Sequence, residues 1–513
     1  MVGRSIDHRP VANRGARAMI QKHSALQVTK NTLALFTSKG VSLLFSFAFV
    51  VFAARYLGVG GFGRYSLVQN YFNLLMSLAV PGVGMLIARD IALDSKLTSQ
   101  RLSMAAALVA GLTAVLGGIL LALADIVHYP LETRLAILIA CLALLPASIS
   151  QVLEFGFIGL EKAEYVTYVN LAESILRMGA SILILRQGYG LIAVFIILVT
   201  SRSAMLGLYV LLLRRLYSGL HWEVDRATWR PLLATWRVFA AENWLFTFYS
   251  YLDVVILSSF YGDIAVGIYA AAAKILTVGQ ALATSLAMGL YPHLVRQYQK
   301  AADRFYQLIS AVLQFELCII VPCAIIITVM ADRTVSLLYG DRFGGAAGVL
   351  AVLSWALTFK FVNVSLSNQL FAGNKQMQSL KTAAATLAIY LPAAFWLTKT
   401  WGAEGAALAV LLSSATAFSF YFYYTFRRHA PLHVLMAFGK VIAAGVMMAA
   451  FMWTTRRGAV PLVIGIGLTL DFLILLLLRV VPLRGIIWVR GAAQQGVRKV
   501  LTHLANSMVQ TKE

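Results

Sequence analysis

The chain predicts an all-α integral membrane protein of about fourteen transmembrane helices with both termini cytoplasmic, and three observations carry that prediction. First, 60% of its 513 residues are hydrophobic and only 12% are charged, about half the charged share of an ordinary soluble domain. Second, apolar runs of about 20 residues recur along its length, each long enough to cross roughly 30 Å of hydrocarbon as a helix. None alternates in polarity as the shorter strands of a barrel do. Third, the basic residues are sorted by loop: with both ends inside, roughly three Lys or Arg fall on the inner side for every one on the outer.

The elements follow in order. Residues 1–30 are polar and basic and read as a cytoplasmic tail. The first apolar run, 31–54, is too long for the core of a cleaved signal peptide and is expected to stay as the first helix. Further spans are expected at 65–87, 102–124, 133–153, 165–185 and 189–213, which closes a first lobe over 31–213. The connection 214–237 carries Trp222, Trp229, Leu232, Leu233 and Trp236 at helical spacing, with Arg226, Arg230 and Arg237 among them. That pattern predicts an amphipathic helix lying in the membrane interface and dividing the chain. A second lobe, 238–425, holds spans at 238–260, 264–291, 307–330, 346–367, 378–398 and 402–425; two more follow within 426–480, at 434–454 and 458–480. Residues 481–513 form a second basic, amphipathic cytoplasmic segment.

A net charge of +22 would point to nucleic acid in a soluble protein, but here the basic residues sit in short connections facing anionic lipid, so nucleic acid is excluded as a partner. Cys141, Cys318 and Cys323 all fall in apolar runs and read as packing residues. The string GVGGFG at 58–63 matches GxGxxG, yet it joins two membrane helices rather than a strand and a helix, so it reads as a turn and not a nucleotide site. With no GxxxxGK[ST], no HExxH and no clustered cysteines, no cofactor is expected, and energy must come from an ion gradient, the membrane potential or the substrate gradient, with Na⁺ or H⁺ as the candidate coupling ions.

An internal repeat supports the two lobes. Leu57, Gly58, Phe62, Gly63 and Tyr65 of RYLGVGGFGRY can be laid at one constant offset over Tyr261, Gly262, Val266, Gly267 and Tyr269 of SFYGDIAVGIY. Each string joins the first and second helices of its half, as parallel duplication of a helical unit would produce.

Charges inside spans are the candidate functional residues, because a cation at the bilayer centre costs roughly 2.5–3.5 kcal/mol on insertion scales. Arg177 lies mid-way along the fifth span, with Glu173 one turn before it and Asn170 on the same face. That pair reads either as a self-neutralised packing contact or as a carboxylate that releases its cation to an anionic ligand. Lys39, Arg202, Lys274 and Lys360 lie in the first, sixth, eighth and tenth spans, and a shared polar interior accounts for them; Lys39 is also near enough to the inner surface to snorkel. Asp253 and Glu242 in the seventh span are acidic counterparts, either pairing with a cation such as Lys274 or binding the coupling ion. Glu316, Lys440 and Asp471 read as packing pairs or helix-end positions. Gln151, Asn170, Asn243, Tyr249, Tyr251 and Asn363 could bond sugar hydroxyls or join helices.

The chain also resembles a known family. ARYLGVGGFGRYSLV after the first span, GLEK at 159–162, the stretch from Asp253 through YGDIAVGIYAAAAK to Lys274, LLYGDRF at 337–343 and GNK at 373–375 are similar to polysaccharide-repeat (O-antigen-type) flippases of the polysaccharide transporter family, in the multidrug/oligosaccharidyl-lipid/polysaccharide exporter superfamily. Many relatives have Gln before the Gly of GLEK; this chain has Ile158. The resemblance implies two six-helix lobes around a central cavity, two added C-terminal helices, and export of a polyprenyl-diphosphate-linked oligosaccharide across the cell inner membrane, with a polysaccharide polymerase or glycosyltransferases as partners. Such a cargo needs cations for its diphosphate, with Arg177, Lys274, Lys39, Lys360 and Arg202 as substrate-binding candidates and Glu173, Asp253 and Glu242 for ion coupling or charge pairing. A lipid II flippase is the near alternative. A multidrug or cation antiporter fits a cationic interior poorly. A membrane glycosyltransferase or ligase lacks outer loops large enough for a catalytic site, so no enzyme is expected.

Overall fold

The computed structural model describes residues 12–127, 129–217, 226–300, 302–373, 375–427, 432–455, 458, 460–478 and 480. Among these the regular structure is helical, with no strand. The helices are α1 (Ala12–Ala79), α2 (Val83–Leu93), α3 (Thr98–Ile126), α4 (Leu131–Gly159), α5 (Ala163–Arg186), α6 (Leu191–Leu216), α7 (Arg226–Lys300), α8 (Ala302–Val329), α9 (Ala331–Tyr339), α10 (Ala346–Ala372), α11 (Gln376–Phe426), α12 (Leu432–Thr455) and α13 (Val460–Leu477). Ten stretches among the described residues are long and apolar enough to span a membrane, and Pro461–Leu477 is a shorter apolar helix. The chain is thus a multi-pass membrane protein.

Three of the longest helices are broken by one residue each: Gly58 (φ 68°, ψ 179°) in α1, Gly262 (φ 68°, ψ −161°) in α7 and Gly402 in α11. The breaks at Gly58 and Gly262 fall between the first and second and the seventh and eighth expected spans, and Gly402 is the first residue of the twelfth. Gly58 and Gly262 are equivalent positions of the internal repeat. Left-handed φ is open to glycine without the Cβ penalty that other residues meet, which explains why the repeat keeps glycine there. The two repeat strings also pack on each other. A methyl on Gly63 would overlap the carbonyl oxygen of Asp263, and one on Gly267 would overlap that of Val59. Gly63 is equivalent to Gly267, and Val59 to Asp263, so the contact is reciprocal, as at a local two-fold axis. Arg64 adds an ion pair to Asp263 at 3.7 Å.

By compactness the chain divides into two units: one runs up to Leu57 and from Val68 to Thr247, and the other holds Gly58–Leu67 and everything from Phe248 onward. In the first, α4 packs against α2, α3 and α6, and α5 against α6; in the second, α10 packs against α8 and α11, and α12 against α8 and α13. The division falls inside α7 and not in the 214–237 connection.

Two expectations need correction. The second span does not run unbroken to 87: α1 stops at Ala79, and Pro81 and Gly82 intervene before α2. Proline lacks the N–H that a continuing helix needs, so the hydropathy of the run outlasts its helix. The 214–237 connection is the second. Residues 218–225, with Trp222, and the side chains of Trp229, Leu232, Leu233, Arg226, Arg230 and Arg237 lie outside the described residues; α7 is helical from Arg226, and Trp236 itself is buried in the core of the first unit rather than laid on a lipid interface. Its indole N–H donates to the Pro81 carbonyl at 2.9 Å, and that of Trp244 to the Leu78 carbonyl at 3.1 Å. The two rings meet edge to face at 5.9 Å. Together they satisfy carbonyls that the end of α1 leaves without helical partners. Within the expected tail at 1–30, α1 is helical from Ala12; residues 1–11 and 481–513 lie outside the described residues.

Candidate functional site

Within the first unit, α1, α4, α5 and α6 enclose a cavity of about 590 Å³. Its polar lining comes from Ser42 and Ser46 of α1, Gln151 and Glu154 of α4, Asn170, Glu173 and Arg177 of α5 and Arg202 of α6. The i, i+4 spacing of Glu173 and Arg177 puts both on one face of α5, and the Arg177 Nε donates to Glu173 Oε1 at 2.8 Å. The same oxygen has Ser201 Oγ at 3.2 Å and Arg202 Nε at 3.7 Å. One buried carboxylate, its side chain only 6% exposed, therefore serves two guanidinium groups that are 18% and 24% exposed.

Arg202 is the less satisfied of the two. Its Nε is buried without a hydrogen-bond partner, and its Nη1 points at the sulfur of Met205 at 3.4 Å, a weak acceptor. A guanidinium has five N–H donors in a planar fork, so most of this group's capacity is left for an anion. Glu154 places a second carboxylate on the wall, accepting from the Tyr209 hydroxyl at 3.3 Å. The Tyr209 ring is fully buried and packs against Phe157 at 5.6 Å, which ties the cavity wall to the unit's hydrophobic core. The cavity is accordingly of mixed charge, with its excess donor capacity concentrated on Arg202. Ile158 also lines it, so this chain presents an aliphatic side chain where the family resemblance anticipates an amide.

The second unit holds a different arrangement. Asp253 accepts from the Tyr269 hydroxyl and, at 2.8 Å, from the Val254 N–H, and it interacts electrostatically with Lys360. The expected pairing of Asp253 with Lys274 is not found; Lys360 on α10 takes that place. The Lys274 side chain is partly buried and has no side-chain partner among the described residues. The side chains of Lys39 and Glu242 lie outside the described residues, although both positions fall within helices.

Of the sequence candidates, the structure thus brings Arg177, Glu173 and Arg202 together with Gln151 and Asn170 at one cavity, places Asp253 beside Lys360, and leaves Lys274 alone. Asn363 is a helix joiner, donating to the Ser414 carbonyl at 2.9 Å. Glu154, Ser201 and Tyr209 were not candidates. Glu154 lies three residues after Gln151 on the same face of α4, a signal that was present but fell just past the expected end of its span. Among the described residues no group of three or more His, Cys, Asp or Glu could hold a metal ion.

Apolar helices broken at paired glycines, with charged side chains gathered inside each unit, define a multi-pass protein of the membrane transporter class. The chain belongs to the polysaccharide biosynthesis protein family, whose model matches residues 28–298. A second model, for the lipid II flippase MurJ, matches residues 250–478. The chain is 25% identical over 171 residues to a capsular polysaccharide biosynthesis protein of Staphylococcus aureus, covering 33% of this chain and 43% of that protein. It is 24% identical over 169 residues to a probable low-salt glycan biosynthesis flippase of Haloferax volcanii, covering 33% of this chain and 36% of that one. The match therefore spans less than half the length of either relative. In fold the chain is similar to the lipid II flippase MurJ in an inward closed conformation, with a TM-score of 0.71 at 13% identity, over 90% of this chain and 100% of that structure.

Proposed function

We propose that the protein is a flippase that moves a polyprenyl-diphosphate-linked oligosaccharide repeat unit from the cytoplasmic to the outer leaflet of the cell inner membrane by alternating access, driven by a Na⁺ or H⁺ gradient. The observation that carries this reading is the under-satisfied Arg202 beside Arg177 on a polar cavity inside an apolar helical unit. A diphosphate offers several charged oxygens. An arginine can bind two of them at once, and charge-assisted bonds of this kind are roughly twice as strong as neutral ones. Anion entry would relax the hold of Glu173 on its two arginines. Gln151 and Asn170 on the same wall supply donors and acceptors for sugar hydroxyls. Lys39 in the first unit, and Lys274 and Lys360 in the second, are further candidate phosphate contacts, while Glu242 of the first unit and Asp253 of the second are available to the coupling ion. The protein acts on no covalent bond in this reading, and the enzymes that polymerise or assemble the glycan are its functional partners.

A lipid II-type flippase is the second reading. It is favoured by the match of the MurJ model to residues 250–478 and by the shared fold. Both cargoes carry the same diphosphate anchor, so the head group decides. Transbilayer movement in liposomes of the purified chain is the test, with a fluorescent polyprenyl-diphosphate oligosaccharide, lipid II and an organic cation compared side by side. The proposal expects movement of the oligosaccharide-linked lipid; movement of lipid II alone selects the second reading, and movement of the cation alone overturns both.

A further inference from the structure

Glu316 is a buried acid that neither charge cluster uses. It sits in α8, 2% exposed, inside the stretch Phe305–Val329 that is apolar enough to span a membrane. Its Oε1 accepts from the hydroxyl of Ser365 on α10, and its Oε2 is buried with no hydrogen-bond partner. One turn beyond Ser365 on the same face of α10 lies Gln369, also 2% exposed, with neither its amide oxygen nor its amide nitrogen partnered.

The sequence reading as a packing pair therefore fails for Glu316, since no cation pairs with it among the described residues. Among the described residues, no charged group on the helices packed against α8 is paired with Glu316. On α10, Lys360 interacts with Asp253. On α12, Lys440 donates to the Leu478 carbonyl at 3.0 Å, and on α13, Asp471 interacts with Cys318. On α9, Arg333 donates to the Gly458 carbonyl, Asp332 lies in the first turn and Tyr339 is buried.

A carboxylate left in such a place without a counter-charge is strongly unfavourable, and it is accommodated by a proton or by a bound cation. The donor set favours the proton. Hard metal cations take about six or more oxygen ligands. Here, among the described residues, the side-chain oxygens identified are the carboxyl, the Gln369 amide oxygen and a Ser365 hydroxyl already committed as a donor. A proton needs one atom, Oε2, and gives that atom a donor to direct at the unpartnered amide oxygen.

We propose that Glu316, with Ser365 and Gln369, forms an intramembrane proton-binding site whose loading is coupled to the transport cycle. The proton comes from water on one side, binds Oε2, and leaves to water on the other; no other bond changes. The link to transport is α10 itself. Ser365 is five residues from Lys360, about 7.5 Å along the axis, so the helix that senses the proton also carries a candidate phosphate contact. This coupling rests on the flippase reading, whereas the site does not.

Infrared difference spectroscopy of the full chain in lipid nanodiscs tests the site without any substrate. The expected result is a protonated-carboxyl C=O band that is absent from Glu316→Gln, moves to higher frequency in Ser365→Ala as a hydrogen bond is lost, and shrinks as bath pH is raised. Absence of the band in the wild type, a band that ignores pH wherever the chain stays folded, or its removal by Na⁺ at constant pH would each overturn the proposal. Should Glu316→Gln fail to fold, the shift in Ser365→Ala still decides the assignment. In liposomes, a pH gradient is expected to speed movement of the fluorescent polyprenyl-diphosphate probe several-fold for the wild type and not at all for Glu316→Gln. Equal acceleration of both would sever the site from transport, and a wild type that moves no probe while showing the titrating band would fail the flippase reading alone.

Discussion

The two units treat a cation inside an apolar helix in opposite ways. In the first, Arg177 and Arg202 converge on Glu173, and the carboxylate is held in addition by Ser201. In the second, Lys274 has no side-chain partner among the described residues, and Asp253 is held chiefly by the Tyr269 hydroxyl and a backbone N–H, with Lys360 nearby. The first arrangement is a pre-formed network in which an anion must compete with a resident carboxylate. The second presents an amine with no side-chain partner among the described residues, free to meet an anionic ligand. The difference follows from side-chain chemistry: a planar guanidinium can share one carboxylate with a second arginine and keep donors free, whereas an ammonium is a point charge on a flexible stem. A carrier that must first hold and then release a diphosphate has use for both, one as a switchable clamp and one as an attractor.

Five substitutions test how each unit is held, in order of expected effect. Glu173→Ala removes the buried acid that Arg177 and Arg202 share, and leaving a buried charge uncompensated costs about 3–5 kcal/mol. A large loss of thermal stability in detergent is expected, partly restored by adding pyrophosphate; a stability within about 0.5 kcal/mol of wild type would mean that the network is not holding the first unit. Next in size is Gly267→Ala, whose methyl would overlap the Val59 carbonyl. Overpacking against backbone costs about 1–3 kcal/mol, and because the contact is reciprocal, Gly63→Ala should cost a similar amount, as read by unfolding midpoints. Trp236→Phe keeps the ring but loses the bond to Pro81, for about 1 kcal/mol; no change would return this tryptophan to the lipid interface. Smallest in stability is Lys274→Met, expected within about 0.5 kcal/mol of wild type or slightly stabilising, because its charge has no side-chain partner among the described residues. Its transport, by contrast, should fall at least about tenfold, equivalent to about 1.4 kcal/mol of lost interaction.

Much of the fold was legible because hydropathy and helix length are set by the bilayer, and the glycine repeat marked two helix breaks by letter alone. The places that misled share a cause. The apolar run at 65–87 continues past Pro81, so a hydropathy window reads through a stop that proline enforces. Trp236 sits at amphipathic spacing, which a lipid interface and a protein core both produce, and only the position of the α1 terminus tells them apart. At the candidate site, Glu173 and Arg177 could be read from one helix, because their relation is local. Arg202, Tyr209 and Glu154 meet them only through the packing of α4, α5 and α6, which no spacing within one segment encodes. Glu316 looked like a packing acid because its identity was visible and its lack of a partner was not.

The most direct test of the proposal that Arg202 and Lys274 each contact the diphosphate is transbilayer movement of a fluorescent polyprenyl-diphosphate oligosaccharide in liposomes carrying wild type, Arg202→Gln or Lys274→Gln at matched folded amounts. The account predicts transport by the wild type and a loss of about tenfold or more in each variant. Movement at the wild-type rate in both variants would contradict it.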